Sequence, residues 1–517
     1  MNHIRRHPFH AALPLLMVGW LIFHLLSLVQ YPPPSCDEAY YSNGAYTLLT
    51  TGRFGLSFYD DLAGADTTFV VYGRLLLLTQ ALFHLLIPSP LWAARLWALT
   101  GGLLLIGASY ALGKQLFGQH VGGWSALLVA ANWAVFYGSH SARPDVWLIA
   151  SAMLALYLVF RLADHPTAGW AVVTGFAVTL LQDVHLNGMH FIAACGLIAL
   201  ITLGIEQRRW KLVILYALGS AAGVLYFLVV HLFPDPQLAI TQYQTLTLGE
   251  DREFWLHPLG FHLRNLGKFL WDNYVREYNG LAAVLSAFYA LGVAVLIRRN
   301  PSRREARLLG LFIIASLVSF SLVNVHKPAY YAVLWHPPLT LLGAAGAKLL
   351  LTDSRLTGFW QRLPAALHNR SVDVLLAGLF VALTAGNLYL AVKYRSVDYA
   401  GYARRLRAAI PAGERVLADE LWWYALYDRD MVASIKLYAS QYARHEATVN
   451  PKAFSDDMRI ISPDYIVLGE VLGCRDVADE TYRLLENYVS THCSPVVKVE
   501  GAWFVESVIY FCEDDAT

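Results

Sequence analysis

Long apolar runs recur along most of this 517-residue chain, and they restrict it to folds that a membrane can accommodate. The first run extends from about Ala11 to Tyr31 and follows Arg5 and Arg6. Crossing a bilayer takes roughly 20 apolar residues, so this run is long enough. Further candidate spans are Trp92–Leu112, Val121–Phe136, Val146–Phe160, Trp170–Leu181, Met189–Leu203, Leu212–Leu232, Leu281–Ile297, Leu308–Val325, Tyr331–Leu350 and Val372–Val392. The sequence therefore predicts a polytopic α-helical membrane protein with about eleven spans.

Composition supports this class and separates two domains. Only 15% of the residues are charged, whereas soluble domains carry roughly 25%. The net charge of +1 gives no electrostatic basis for binding nucleic acid. From Tyr394 onward, charged residues recur every few positions and no window is long enough to span. We therefore predict a membrane domain over residues 1–393 and a water-exposed domain over residues 394–517.

The C-terminal domain has the mixed periodicity of an α/β fold. Helical spacing covers Tyr399–Ile410 and Val477–Val489. Short buried strands are predicted at Arg415–Ala418 and Asp464–Leu468, and a further strand at Trp503–Phe511.

The cysteines bear on the compartment of this domain. Cys474, Cys493 and Cys512 all fall within it, and one disulfide among them is expected, with its pairing open. Cys36 is expected to be free, and Cys195 to be buried in a span.

Basic residues between the spans predict the orientation. With Arg5 and Arg6 in the cytoplasm, the clusters at 208–211 and 298–304 fall on the same side, as the positive-inside rule requires. Leu75–Ile87, about thirteen residues long, is too short to span and suits an interfacial or re-entrant helix. The C-terminal domain is then extracytoplasmic.

Polar side chains gather at span ends on that same extracytoplasmic face. They are Asp37-Glu38, Asp60, Asp61, Asp66, Arg143-Pro144-Asp145, Asp183-Val184-His185 and His326-Lys327-Pro328-Ala329-Tyr330-Tyr331. Such a convergence predicts a site at the bilayer surface. It suits a substrate with a lipid tail in the membrane and a polar head in water.

Three of these segments resemble motifs of a known family. Asp37-Glu38-Ala39-Tyr40-Tyr41 is similar to the first acidic motif of the GT-C glycosyltransferases, in the branch of the protein O-mannosyltransferases and aminoarabinose transferases (glycosyltransferase family 39-like). Ser139–Asp145 resembles the second acidic motif of that superfamily, and Lys327–Pro338 resembles its later Lys-x-Pro-x-Tyr segment. The resemblance covers roughly residues 10–392 and implies a GT-C fold.

The resemblance implies an inverting glycosyltransferase. A sugar would pass from a polyprenyl-phosphate donor to a hydroxyl or phosphate of a lipid, protein or glycan acceptor. The protein would lie in a bacterial inner or plasma membrane, with its active site extracytoplasmic.

The same resemblance assigns roles to residues. Asp37 would take the acceptor proton, with Glu38 beside it as partner. Arg143 and Lys327 would neutralise the leaving phosphate, supported by the residues His326 and Tyr330. Asp145 would orient either the acceptor or Arg143.

Other interpretations stay open for these residues. Asp37 and Glu38 are also suited to cap a helix that starts near them. Arg143 and Asp145 would also make a structural ion pair, and Lys327 an interfacial anchor. His185 is expected to serve packing or local hydrogen bonding.

Two wider questions also stay open. A divalent cation, Mg²⁺ or Mn²⁺, would suit the loop acids Asp60, Asp61 and Asp66, although solvated acids explain them too. The alternative function is a lipid or sugar transporter or flippase, but transporters carry their charges near the midplane on interrupted helices. A nonenzymatic scaffold gives no reason for the order of the motifs.

Overall fold

The computed structural model describes residues 8–243, 259–276, 280–299, 304–324, 329–352, 371–437, 450–469, 479–500 and 506–513. Helices dominate up to residue 393. They are α1 Pro8–Ser27, α2 Cys36–Thr51, α3 Arg74–Leu86, α4 Pro90–Phe117, α5 Gln119–Ala131, α6 Trp133–His140, α7 Asp145–Asp164, α8 Ala168–Thr179, α9 Leu181–Val184, α10 Gly188–Ala199, α11 Trp210–Phe227, α12 Pro236–Gln242, α13 Leu259–Trp271, α14 Leu281–Arg299, α15 Arg304–Val323, α16 His336–Thr352, and a last long helix Ser371–Lys393.

The helical membrane class is confirmed. Within the described residues, seven helices are long and apolar enough to cross a membrane, and the pair α5 and α6, bent by 60°, makes an eighth candidate. Each span predicted from the sequence overlaps one or more of these helices. This number is below the predicted eleven because some described apolar helices are shorter, as at Ala168–Val184. The helix α3 has 13 residues, which at 1.5 Å per residue is too short to span.

Glycines allow the membrane helices to approach closely. A Cβ atom on Gly175 of α8 would lie 2.0 Å from the carbonyl oxygen of Tyr216, and one on Gly219 of α11 would lie 2.1 Å from that of Val172. Small residues at such contacts let backbones meet and raise van der Waals contact between helices in lipid. The bundle therefore holds the loops at its ends in fixed positions.

The C-terminal domain contains one five-stranded sheet in the order β2-β1-β3-β5-β4. Strand β1 pairs in parallel with β2 and β3, whereas β5 pairs antiparallel with β3 and β4. The strands are β1 Arg415–Ala418, β2 Asp430–Ala433, β3 Tyr465–Gly469, β4 Cys493–Val499 and β5 Ser507–Cys512. Helices Tyr399–Ala409, Trp423–Leu426, Pro451–Ile461 and Asp479–His492 complete the described part of the domain. The predicted α/β character is confirmed.

A disulfide cross-links this domain. Cys493 and Cys512 stand opposite each other on β4 and β5 and are bonded. Cys195 is free and buried, as predicted. The prediction for Cys36 is wrong, because this residue is disulfide-bonded. Folding carries its sulfur to the C-terminal domain, 3.2 Å from Oδ1 of Asp419. Cys474 lies outside the described residues.

The domain and the membrane bundle share one hydrophobic core. Phe58, Tyr59 and Phe69, from the loop between α2 and α3, are buried together with Trp422 and Trp423 of the domain. The sheet domain is therefore packed directly on the loop that follows α2, at one end of the bundle.

Candidate active site

A cavity of about 230 Å³ lies between this end of the bundle and the C-terminal domain. Several chain segments meet there, and tyrosines make up much of its wall. It is lined by Cys36, Asp37, Tyr40, Tyr41, Tyr59, Val71, Tyr72, Arg143, His185, Leu186, Asn187, Asn324, Tyr330, Tyr331, Glu420 and Ile435. Of the predicted site residues, Asp37, Arg143 and Tyr330 meet in this cavity.

Asp37 occupies the first turn of α2. The side chain of Ser35 caps this helix by accepting a hydrogen bond from the backbone N–H of Glu38. A helix N-terminus favours negatively charged side chains, so an acidic residue suits this position. The Asp37 side chain is 52% exposed and opens into the cavity. It is therefore a carboxylate that a substrate can reach.

Arg143 holds this carboxylate in place. Its Nη1 donates to Oδ2 of Asp37, and its Nε donates to Oδ2 of Asp145 at 2.9 Å. The guanidinium carbon lies 3.4 Å from the ring centroid of Tyr330, a cation–π contact. Arg143 is thus fixed on three sides by Asp37, Asp145 and Tyr330. Asp145 is buried and touches the site through Arg143.

Glu38 points the other way. It is fully buried, and both of its carboxylate oxygens accept hydrogen bonds from Arg95 of α4, the shortest at 2.9 Å. Arg95 also donates to the carbonyl oxygen of Leu28. The structure therefore places Glu38 outside the cavity, in a buried ion pair that fixes α2 to α4.

The loop between α9 and α10 adds two polar side chains to the wall. The backbone N–H of Asn187 donates to Nδ1 of His185 at 3.0 Å. Asn324 donates through Nδ2 to Oδ1 of Asn187 at 3.2 Å. Burial, followed by the positive charge of Arg143, lowers the pKa of His185 to about 3. His185 is therefore neutral near pH 7.

The tyrosines give the cavity neutral hydroxyls and aromatic faces. Tyr41 and Tyr72 stack at 4.3 Å between ring centroids. Burial raises the pKa of both phenols well above the ordinary value, so both stay protonated. Aromatic faces beside hydroxyl donors are suited to a ring that carries several hydroxyl groups.

The C-terminal domain contributes directly to this wall. Glu420 and Ile435 line the cavity. Nearby, the hydroxyls of Tyr424 and Ser42 are 2.7 Å apart and buried, and Ser42 also accepts from Gln80 of α3. The domain therefore forms one side of the cavity. It also contacts α2, the helix that carries Asp37.

One group of described residues has its possible metal-ligand atoms within 4.8 Å of one another: Cys36, Asp419 and Glu420. Because Cys36 is disulfide-bonded, it has no thiolate to offer, and two carboxylates are left. Oδ1 of Asp419 also accepts from the backbone N–H of Leu421 at 3.0 Å. The site fits a metal poorly, and the divalent cation remains a prediction.

Some predicted residues are placed elsewhere or are not described. Asp60 is paired with Arg415 at 2.7 Å and with Lys436, both in the C-terminal domain. Asp183 caps α3 through the N–H of Leu75 and pairs with His231 at 2.6 Å. His326 and Lys327 lie outside the described residues.

Sequence reasoning missed Arg95 and Glu420. Arg95 had a signal, since it is a cation within a predicted span, where charges are usually paired. Glu420 had none, because it reaches the cavity only through the tertiary fold. Asn187 was expected, with His185, to serve packing or local hydrogen bonding.

Comparison with known proteins identifies the fold. Residues 75–233 match the family model of the dolichyl-phosphate-mannose-protein mannosyltransferases. ArnT from Cupriavidus metallidurans in the apo state has a TM-score of 0.61 at 17% identity, covering 97% of this chain and 98% of that one. Its structure bound to undecaprenyl phosphate has a TM-score of 0.66 at 16% identity with the same coverage.

A second type of protein shares the architecture more loosely. The Archaeoglobus fulgidus oligosaccharyltransferase in the apo form has a TM-score of 0.51 at 13% identity, covering 88% of this chain and 69% of that chain. Among curated proteins, none matches the sequence. The predicted resemblance is thus confirmed at the level of fold, and this chain is an integral membrane protein with the architecture of the GT-C glycosyltransferases.

Proposed function

We propose that the protein is an inverting glycosyltransferase that moves a sugar from a polyprenyl-phosphate donor to an acceptor hydroxyl or phosphate. One observation carries the proposal. A half-exposed carboxylate, Asp37, opens into a cavity at the end of a GT-C helix bundle and is held there by the buried guanidinium of Arg143. A scaffold needs no reachable carboxylate, and a transporter usually carries its charges near the bilayer midplane on interrupted helices.

Asp37 acts as the general base in this proposal. For a hydroxyl acceptor, it takes the O–H proton as the oxygen forms a bond to the anomeric carbon of the sugar. The bond between that carbon and the phosphate oxygen breaks at the same time, and the electron pair leaves with the polyprenyl phosphate. A single displacement of this kind inverts the anomeric carbon.

Arg143 has two roles in the same step. Its contacts with Asp37 and Asp145 orient the base, and its charge lies at the cavity wall where the phosphate leaves. Lys327 and His326 are proposed to assist the leaving phosphate, with Tyr330 as the aromatic support of Arg143. Glu38 is proposed as a positioning residue, because its carboxylate is occupied by Arg95.

The relatives support the choice of donor. One ArnT structure contains undecaprenyl phosphate, and the matched family model is named for dolichyl-phosphate-mannose. A cavity at the end of a membrane bundle lets such a lipid keep its tail in the bilayer.

We propose that this end faces away from the cytoplasm in a bacterial inner or plasma membrane. The domain boundary is proposed at residue 393/394, just after the last long helix.

A transfer assay tests the proposal. The purified protein in lipid nanodiscs is offered a panel of polyprenyl-phosphate sugars with lipid, peptide and glycan acceptors. Mass spectrometry follows release of polyprenyl phosphate and formation of the glycosylated product. Wild type is compared with Asp37→Asn and with Asp61→Asn, an exposed acid nearby that does not line the cavity.

We expect wild type and Asp61→Asn to transfer sugar and Asp37→Asn to lose at least about 100-fold in rate, as removal of a general base does. Equal rates for wild type and Asp37→Asn would remove Asp37 as the base. Absence of transfer by folded wild type across the panel would count against the enzyme class.

A further inference from the structure

We infer that His185 and Asn187 form a pair of neutral hydrogen-bond donors that holds the phosphate of the lipid donor. This inference rests on the proposed function, since it names part of the same cavity. Both residues belong to the three-residue loop between α9 and α10, and both line the cavity. Neither follows from the acidic motifs of the sequence.

The hydrogen bonds of the loop determine the tautomer of His185. Its Nδ1 accepts the backbone N–H of Asn187 at 3.0 Å. A neutral imidazole has one acceptor nitrogen and one N–H, so the proton is on Nε2. His185 therefore presents an N–H donor at the cavity wall. The hydrogen bond from the Asn187 N–H also keeps the imidazole ring from rotating.

A second chain of contacts orients the Asn187 amide. His190 pairs through Nδ1 with the hydroxyl of Ser319 at 2.8 Å, and its Nε2 lies 3.2 Å from Nδ2 of Asn324. If Nε2 of His190 accepts there, Asn324 is fixed as the donor to Oδ1 of Asn187. Nδ2 of Asn187 is then directed away from that bond. No hydrogen bond of normal geometry satisfies this buried nitrogen among the described residues, and its neighbour is the Tyr331 hydroxyl, which also lines the cavity.

A buried N–H₂ group without a partner is unfavourable, by roughly 1–3 kcal/mol in typical cases, and this group borders a cavity. The observation therefore points to a ligand with acceptor oxygens. His185 supplies a second donor beside it, and the positive charge of Arg143 lies on the same wall. The Asn187 amide nitrogen, the His185 N–H and the Arg143 guanidinium are all hydrogen-bond donors, and none of them is an acceptor.

Phosphate oxygen is the acceptor that this arrangement favours. Hydrogen bonds to an ionised oxygen are about twice as strong as those to a neutral hydroxyl. The negative charge on the leaving phosphate also increases as the sugar departs, which is where fixed donors lower the barrier. The charge of Arg143 is already matched by Asp37 and Asp145, so additional donors are needed for the phosphate.

Binding of polyprenyl phosphate, which lacks the sugar, isolates this interaction. Affinity is measured for wild type, His185→Leu, His185→Gln and Asn187→Asp in nanodiscs, together with kcat and KM for the donor. Gln keeps an N–H₂ group near the position of Nε2, whereas Leu removes the donor. His84→Leu removes another buried histidine, which is on α3 and does not line the cavity.

We expect His185→Leu and Asn187→Asp to bind polyprenyl phosphate about 10- to 100-fold more weakly, the range for a lost hydrogen bond to a charged group. His185→Gln should recover most of the loss, and His84→Leu should match wild type. The recovered variant should also keep the wild-type pH profile between pH 5 and 8, since His185 does not titrate there.

The outcomes separate this inference from the proposed function. Unchanged affinity for polyprenyl phosphate in folded His185→Leu and Asn187→Asp, in a wild-type background that transfers sugar, overturns the inference alone. If wild type binds polyprenyl phosphate through these residues but transfers no sugar, the result supports the inference and counts against the proposed glycosyltransferase function. Should His185→Leu fail to fold, the comparison of His185→Gln with Asn187→Asp decides the question.

Discussion

At the scale of single residues, Asp37 and Glu38 show how neighbours in sequence acquire opposite roles. Successive residues of a helix point about 100° apart, so one can face the cavity while the next faces the bundle. Asp37 is half exposed, whereas Glu38 has no exposure and is matched by Arg95. The sequence predicts an acidic pair at a membrane surface. Apart from the family resemblance, it carries no signal for which acid faces the cavity, because that depends on a partner in another helix.

This difference predicts opposite mutational profiles. Glu38→Gln leaves the buried charge of Arg95 without a counterion, which destabilises by about 3–5 kcal/mol in comparable cases. We expect a large drop in thermal stability with turnover per folded molecule reduced only several-fold. Asp37→Asn should keep the stability and lose the turnover. Thermal unfolding and transfer rates on the same preparations measure both quantities.

A double variant provides the control for the buried pair. Replacing both members, Glu38→Leu with Arg95→Leu, removes the uncompensated charge, and buried ion pairs replaced in this way often lose little stability. The double variant should therefore be more stable than Glu38→Gln. Loss of turnover in Glu38→Gln at wild-type stability would instead return Glu38 to the catalytic step.

At the scale of elements, loops and helix ends line the cavity, and close backbone contacts hold some of them in place. Gly73 precedes α3, and a Cβ atom there would lie 1.5 Å from the carbonyl oxygen of Asp183. The carboxylate of Asp183 in turn caps α3 at the N–H of Leu75. This contact joins α3 to the segment that leads directly into His185 and Asn187.

We therefore predict that Gly73→Ala disturbs both α3 and the cavity. The methyl group would meet backbone atoms, which cannot rotate away, so the segments must separate. Lower thermal stability and weaker binding of polyprenyl phosphate are expected together. Gly107→Ala is the matched control, because nothing lies within 4 Å of a Cβ atom at that helical position. Wild-type stability in Gly73→Ala would contradict the packing described here.

The elements themselves were predictable to different degrees. Long apolar runs identified each membrane helix, since burial in lipid imposes one pattern. The strand β4 was missed because Pro495 argues against a central strand. The structure places β4 at the edge of the sheet, where a residue without an N–H is tolerated. The four-residue strand β2 is too short for a periodic signal.

At the scale of the whole molecule, the docking of the C-terminal domain on the bundle was not predictable. Asp60 reads as a solvated loop acid, yet it binds Arg415 and Lys436 of the domain. These residues are more than 350 positions away, so no local pattern relates them. The domain carries Glu420 into the cavity wall, and this docking is therefore part of the proposed active site.

The Asp60 contacts make the docking sensitive to acid. Burial raises the pKa of the Asp60 carboxyl, but Lys436 and Arg415 outweigh it and hold the pKa below its ordinary value. A carboxyl with a lowered pKa in the folded state stabilises that state above its unfolded pKa of about 4. The stabilisation is lost as the pH falls through the folded value.

We predict that Asp60→Asn weakens docking at pH 7, by about 1 kcal/mol for a partly exposed ion pair, and that the difference from wild type shrinks only below about pH 4, as the pH falls through the lowered pKa of the folded state. Protease cleavage between the last long helix and β1, followed from pH 3 to 7, reports the docking. Asp61→Asn is the matched control, since Asp61 is the next residue and is exposed. Cleavage of Asp60→Asn at the wild-type rate at pH 7 would show that the shared hydrophobic core, and not the ion pairs, holds the domain over the cavity.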